Sequence, residues 1–397
     1  MILVFFGLFQ INWPTVLSGF ALQLAIALLT VRWDFGRSVV ECFANKVEHF
    51  LEFAYAGAAF AYGDLLVDKL KVFAFQSLSV LFFLSMVVQI MFYYGWIQAA
   101  CFKVGSIIQA MLGTTICESV NAACIPFLGM SEAPLLYKPY ITYLTPSELH
   151  AIMSGGFASC AGSLFAAYTA LGVNPTNLIT AASMAGPGSL YLSKLFYPEN
   201  KKTKTSSDNI VLIKSFDDSV MSAACKGASS AVEMIQGIVA NVIACVAFVA
   251  FLNGIVGWFG QLAGVQGLSF EYILGEVFIP LAWIMGVTPS QCEEIGRLIG
   301  LKTAVNEFVA YEELGKLKKA GRLTQRSEAI ATFALCGFAN PGSLSLMIAT
   351  LGTLSPSQRS TVIDLSVRAF VCGSCTSFMA ASLIGELSFQ NPSLIYR

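Results

Sequence analysis

Apolar stretches of about 20 residues, enough to cross the hydrocarbon core of a bilayer as helix, recur along this chain. The clearest are Trp13–Leu29, Val72–Ile97, Gly237–Phe259 and Ser327–Leu351. A backbone in lipid must satisfy its own hydrogen bonds, which leaves helices or a closed barrel. Unbroken runs of this length select helices. Charged residues make up 12% of the 397, against roughly 25% in a soluble domain, and 31 Phe and 33 Gly fit extensive contact with lipid. The mean hydropathy is +0.70. The chain therefore reads as an all-α polytopic membrane protein. Its net charge of −1 offers nothing to attract nucleic acid. No secretory signal pattern is visible. Met1–Phe9 is apolar but too short to span, and reads as the stub of a helix that begins outside this chain.

The reactive residue types are thinly spread. Eleven Cys are scattered through apolar segments, and the one CxxC, Cys372 to Cys375, lacks a partner pair or a nearby His. A zinc ribbon or redox motif needs such company, so small-residue packing is the reading for these thiols. His150 reads as a polar residue near a helix start. There is no HExxH, and two histidines cannot support a nucleophilic triad, so the composition points away from an enzyme.

Along the chain, Trp13–Trp33 reads as the first span, and Asp34–Tyr62 as an interfacial amphipathic helix. Val72–Trp96 is the second span. Gly113–Pro139 breaks the pattern by setting Thr114, Thr115, Glu118, Asn121, Pro126, Ser131, Glu132 and Pro134 among apolar residues. Irregular backbone at membrane depth is tolerated where protein buries it or it lines a cavity. A re-entrant hairpin turning near Gly129 meets that condition. Ser147–Tyr168 and Pro175–Tyr197 follow as spans, and Glu199–Asp217 is a hydrophilic linker. Ser219–Gln236 reads as an amphipathic helix, with Gly237–Phe259 and Leu268–Met285 as further apolar segments. Gly286–Leu314 then repeats the irregularity, with Glu293, Glu294, Arg297, Lys302, Asn306 and Glu307. The small-residue span Ala329–Leu351 should break at Asn340–Gly342, because proline removes a backbone donor and clashes with the preceding turn. Ser357–Ile384 closes the chain. A glutamate-bearing hairpin followed by a small-residue helix thus occurs twice. Interrupted segments in corresponding halves are the sequence pointer to a transporter's midplane site.

A carboxylate at the bilayer centre costs about 2.5–3.5 kcal/mol on insertion scales, so Glu132 and Glu307 need a task or a partner. The structural alternative pairs Glu307 with Lys302 or Arg297. Glu118 stands between a site and a structural role. Carboxylates beside amide and hydroxyl groups suit a neutral polyhydroxylated solute, because carboxylates accept from sugar hydroxyls and Asn both donates and accepts.

Four motifs carry a family resemblance: GMSEAPLL at 129–136, SELHAIM at 147–153, NEFVAY at 306–311 and ALCGFAN at 334–340. In this order and near-family spacing they resemble the concentrative nucleoside transporters, from about Trp13 to the last span. The resemblance implies a multi-pass homotrimer of the plasma membrane with an internal inverted repeat and no cofactor. In each protomer a scaffold would hold a transport domain of two re-entrant hairpins and two broken helices that moves like an elevator. On this chain the scaffold and interfacial region fall at 1–112, and the first transport half at 113–197. The linker, interfacial helix and scaffold spans fall at 198–285, and the second transport half at 286–397.

Position by position, Glu307, Asn340 and Ser343 match residues that hold the ribose hydroxyls, and Phe338 an aromatic beside the nucleobase. Ser131 and Glu132 match polar residues facing the base, and Leu164 an apolar contact to it. Met130 stands where relatives usually have Gln; a thioether donates no hydrogen bond. Ile125 stands where sodium-coupled members place an Asn, beside a Pro126 they lack. Leu128, Ser159 and Cys160 still offer backbone carbonyls and a hydroxyl, so the sodium site is one ligand short. The coupling ion is thus sodium or a proton, with weak sodium dependence expected. The alternative is a non-transporting nucleoside-binding or regulatory paralogue with an incomplete scaffold.

Overall fold

The computed structural model describes residues 11–70, 72–205 and 217–389, and among them there are helices and connections but no strand. The stub at Met1–Phe9 and most of the hydrophilic linker, 206–216, lie outside the described residues. Helix α1, Trp13–Ala27, runs on through a wider turn at Leu28–Arg32. The amphipathic segment forms one helix, α2, Asp34–Tyr62. After a single turn at Phe73–Gln76 come α3, Val80–Tyr93, and α4, Trp96–Leu112. Among the described residues, four helical stretches are long and apolar enough to cross a membrane: Trp13–Arg32, Phe73–Tyr93, Val220–Leu262 and Pro356–Ser388.

The first hairpin is α5, Ile116–Glu132, followed by a 3-10 run at Ala133–Tyr143. Its turn falls at Gly129, where the sequence places it. The residue has φ +71°, in the left-handed region that only glycine occupies without strain, and a Cβ there would stand 2.7 Å from that of Ala161. Next comes α6, Pro146–Ala158, started by a capping box between Thr145 and Glu148. The chain then unwinds at 159–161 and resumes as α7, Phe165–Ala170. Ser147–Tyr168 is therefore a broken helix rather than the continuous span its composition suggests. Helix α8, Pro175–Phe196, closes this half, capped by Asn174.

The two segments expected at Ser219–Gln236 and Gly237–Phe259 are one helix, α9, Val220–Leu262, of 43 residues. No proline interrupts it, and its apolar face is open, with Ile243, Phe251 and Trp258 all exposed. At 1.5 Å per residue it is about 65 Å long, roughly twice the hydrocarbon thickness. Helix α10, Phe270–Ile284, leads into the second half.

The second half retraces the first. Helices α11, Cys292–Ala304, and α12, Glu307–Lys319, form the hairpin, with Asn306 capping α12. The broken helix is α13, Gln325–Leu335, then unwound residues 336–340, then α14, Pro341–Leu354. The break precedes the proline. Pro341 sits at the start of α14, where its missing N–H has no helical partner to lose, so it opens a helix instead of ending one. Helix α15, Arg359–Phe389, is the counterpart of α8. These two pack on each other, and each also packs on α6, the first broken helix.

Glu118 resolves as structural. One oxygen accepts the Thr115 backbone N–H at 2.7 Å, and the other pairs with Lys194 at 2.7 Å. His150 bonds the Ser193 hydroxyl at 2.7 Å and stacks on Tyr197. All eleven cysteines are unbridged, and no cluster of metal-ligating residues forms among the described residues.

Candidate functional site

Glu307 opens α12 within its first turn, where the helix dipole favours a carboxylate, and is only 2% exposed. Its Oε2 accepts the Asn340 side-chain NH2 at 2.9 Å, and its Oε1 accepts the Tyr168 hydroxyl at 3.3 Å. Asn340 caps α14, with its Oδ1 accepting the Ser343 N–H at 2.9 Å. A backbone N–H can only donate, so the amide oxygen must face Ser343 and the NH2 must face Glu307. The Ser343 hydroxyl lies against the carbonyls of Phe338 and Asn340 and accepts the Asn340 N–H at 3.1 Å. Glu307, Asn340 and Ser343, which the sequence groups together, are therefore one hydrogen-bonded set. It joins the second hairpin to the second broken helix.

Tyr168 is the member that sequence reasoning missed. It belongs to α7 in the first half and reaches Glu307 across the pseudo-symmetric junction, wedged against the rings of Phe308 and Tyr311 at 5.0 and 4.8 Å. An isolated tyrosine in an apolar segment carries no spacing signal. Only the break in the preceding helix positions it.

The two unwound segments face each other. The thiols of Cys160 and Cys336 are 3.3 Å apart, and Ser377 of α15 donates to the Ala158 carbonyl at 3.2 Å. Gly337 admits this approach: a Cβ there would lie 2.6 Å from the Phe157 carbonyl oxygen. Leu164 is buried in the same core as Cys160, Tyr168 and Phe308, while the half-buried Phe338 packs against that core and a second one. Met130 belongs to the second core, together with Ile125, Leu128 and Met347. Its Cβ faces Gly156 of α6, against which the Met347 side chain also packs. Ser131 and Glu132 are half-buried and make no hydrogen bond or ion pair with the described residues.

At the four positions where the sequence leads one to expect a degenerate ion site, the end of α5 meets the unwound segment of the first broken helix. Ile125, Leu128, Ser159 and Cys160 are all buried. The Ile125 side chain packs against Gly155, and the Ser159 hydroxyl donates to the Cys160 carbonyl at 3.2 Å. Hydrocarbon thus occupies the place where the sequence expects a missing oxygen ligand. The proposed structural partners of Glu307 do not engage it. Arg297 pairs with Glu271 at 2.9 Å, and Lys302 forms no ion-pair contact with it.

Two helical hairpins and two interrupted helices converging on buried polar side chains define an integral, multi-pass membrane protein with an enclosed polar site. Comparison with known proteins narrows this. Residues 177–385 match the pattern described as the Na+ dependent nucleoside transporter C-terminus, residues 9–65 its N-terminus, and residues 74–174 a nucleoside recognition gate. The chain belongs to the Na+ dependent nucleoside transporter family, the concentrative nucleoside transporters, which are carriers and not enzymes. It is 40% identical over 393 residues to human solute carrier family 28 member 3, covering 96% of this chain and 57% of that protein. It is 36% identical to rabbit sodium/nucleoside cotransporter 1, covering 95% and 59%. The chain thus spans less than two thirds of the length of these relatives. Among solved structures, CNTnw in an inward-facing substrate-bound state superposes with a TM-score of 0.92 at 35% identity, covering 99% of this chain and 97% of that one. Variants of that protein in outward-facing and intermediate states align with a TM-score of 0.91.

Proposed function

We propose that the chain carries nucleosides across the plasma membrane, driven by a cation gradient. The observation that carries this reading is the buried Glu307–Asn340 pair. A carboxylate accepts at about four lone-pair sites, and Tyr168 and Asn340 occupy one on each oxygen. The remaining sites suit the hydroxyls of a ribose, and Asn340 keeps a second N–H for a ribose oxygen. Ser343 completes this polar edge. Leu164, Phe338 and Met130 offer apolar surface for the base, and Ser131 and Glu132 offer unengaged polar groups beside it.

In this reading residues 113–197 and 286–397 move as one transport domain against a scaffold of 1–112 and 198–285, in each protomer of a homotrimer. The names of the relatives, sodium/nucleoside cotransporters, support the substrate class. The inward-facing, outward-facing and intermediate states of the related CNTnw support alternating access. The Na+ dependent family pattern supports sodium as coupling ion. Sodium is a hard cation that wants oxygen ligands, and Ile125 brings none, so in this reading sodium dependence is weak and a proton can serve instead. Radiolabelled uridine uptake into proteoliposomes, with sodium and pH gradients imposed separately, tests both parts. Accumulation above equilibrium under a pH gradient is expected. Steep sodium dependence at constant pH would overturn the coupling assignment, and binding without accumulation would overturn transport itself.

A further inference from the structure

Lys302, at the end of α11, has no exposed surface, and its ammonium has no hydrogen-bond acceptor among the described residues. It lies over the face of the Phe378 ring on α15, 5.6 Å from the ring centre. A buried charge without a partner is strongly destabilising, and at membrane depth more so. Such a group in a folded protein calls for an explanation. Among the described residues, Glu307, five residues on across the hairpin turn, and the Cys336 thiol act on its charge through space. Glu307 is the only carboxylate of the pair, and its own two contacts, Tyr168 and Asn340, are neutral donors.

We propose that Lys302 is a fixed counter-charge for Glu307, acting through the low-dielectric interior without a contact ion pair. The arrangement follows from what each group has to do. A contact salt bridge would occupy the carboxylate oxygens. An ammonium held off by an aromatic face balances the charge and leaves those oxygens free to accept hydroxyls. With the pair balanced, the only net charge this part of the site adds on crossing the membrane is that of the coupled cation. That consequence rests on the nucleoside-carrier reading, whereas the pairing of the two charges does not. Lys302 is thus a positioning residue, acting on solute through Glu307.

A double-mutant cycle on thermal stability of the detergent-solubilised full chain tests this without any nucleoside present. Lys302→Met keeps the length of the stem and removes the charge. In the wild-type background it is expected to lower Tm by roughly 5–10 °C, the effect of stranding a buried carboxylate, or to prevent folding. In the Glu307→Gln background, where nothing remains to compensate, the same change should lower Tm by less than about half as much, and the double variant should fold. An equal or larger loss in that background, or a double variant that fails to fold where Glu307→Gln alone folds, would reduce Lys302 to a packing role and overturn the proposal.

Discussion

Glu307, with Tyr168 and Asn340 bonded to it, and Met130 in the neighbouring core differ in what they contribute, and substitutions should separate them. Glu307→Gln keeps the shape but replaces an acceptor-only carboxylate with an amide. Losing a charge-assisted hydrogen bond costs about 1.5–3 kcal/mol, so uridine affinity should fall by roughly 10- to 150-fold in equilibrium binding. Near-normal affinity would refute the ribose assignment. Met130 is a different case, because its side chain packs against Gly156 and Met347 instead of bonding. Met130→Gln restores a donor and acceptor of similar length. Worth about 0.5–1.5 kcal/mol, it should shift the ratio of purine to pyrimidine uptake by roughly 2- to 10-fold while leaving the Glu307-dependent part of binding intact. An unchanged ratio would place the base elsewhere. The grouping of Glu307, Asn340 and Ser343 was legible because a membrane-depth carboxylate and polar residues at a helix break are conspicuous in an apolar chain, and because their motifs resemble one family. Tyr168 was not, since its role depends on where a broken helix delivers it.

At the scale of elements, the site exists because four segments refuse to be continuous helices. Asn306, Thr324 and Asn340 each start a helix by accepting a backbone N–H, and such caps are worth about 1 kcal/mol each. Gly129 is the sharpest of these devices. Gly129→Ala combines a left-handed φ with a Cβ pressed into Ala161, so the first hairpin should lose its turn. The expected result is a Tm lower by several degrees together with weakened solute binding. A fully stable variant would show that the turn tolerates a side chain. The breaks at 159–161 and 336–340 differ in legibility. The second is announced by Asn340 and Pro341, whereas the first has neither residue, and Ser147–Tyr168 looks like one span. Helix α9 shows the reverse error: a change from amphipathic to apolar composition at Gly237 reads as a boundary, yet nothing there stops the helix.

For the whole molecule, the proposed coupling turns on the place where α5 meets the unwound part of the first broken helix. Ile125→Asn would place an oxygen at the position that Ile125 now fills against Gly155. Proteoliposome uptake by this variant should gain sodium dependence, seen as a several-fold rise in initial rate when external choline is replaced by sodium at fixed pH. No gain would mean that Ser159 and the surrounding carbonyls are not arranged for the ion. The open apolar face of α9, with Ile243, Phe251 and Trp258 exposed, is available to lipid or to neighbouring protomers of the proposed trimer.

The sequence by itself determined the environment and the plan. Apolar length requires helices, charge scarcity requires lipid, and two glutamate-bearing irregular segments mark the duplicated hairpins. These properties are written in local composition, because bilayer thickness and backbone hydrogen bonding act on each segment separately. Only the tertiary structure decided which polar residues are scaffolding and which remain free. Glu118 is consumed by Lys194 and Arg297 by Glu271, while Glu307 keeps unfilled acceptor sites. It also brought Tyr168 from the first half onto Glu307 of the second, 139 positions away. Pairings of that kind depend on which faces of distant helices meet, and spacing along the chain carries no record of them.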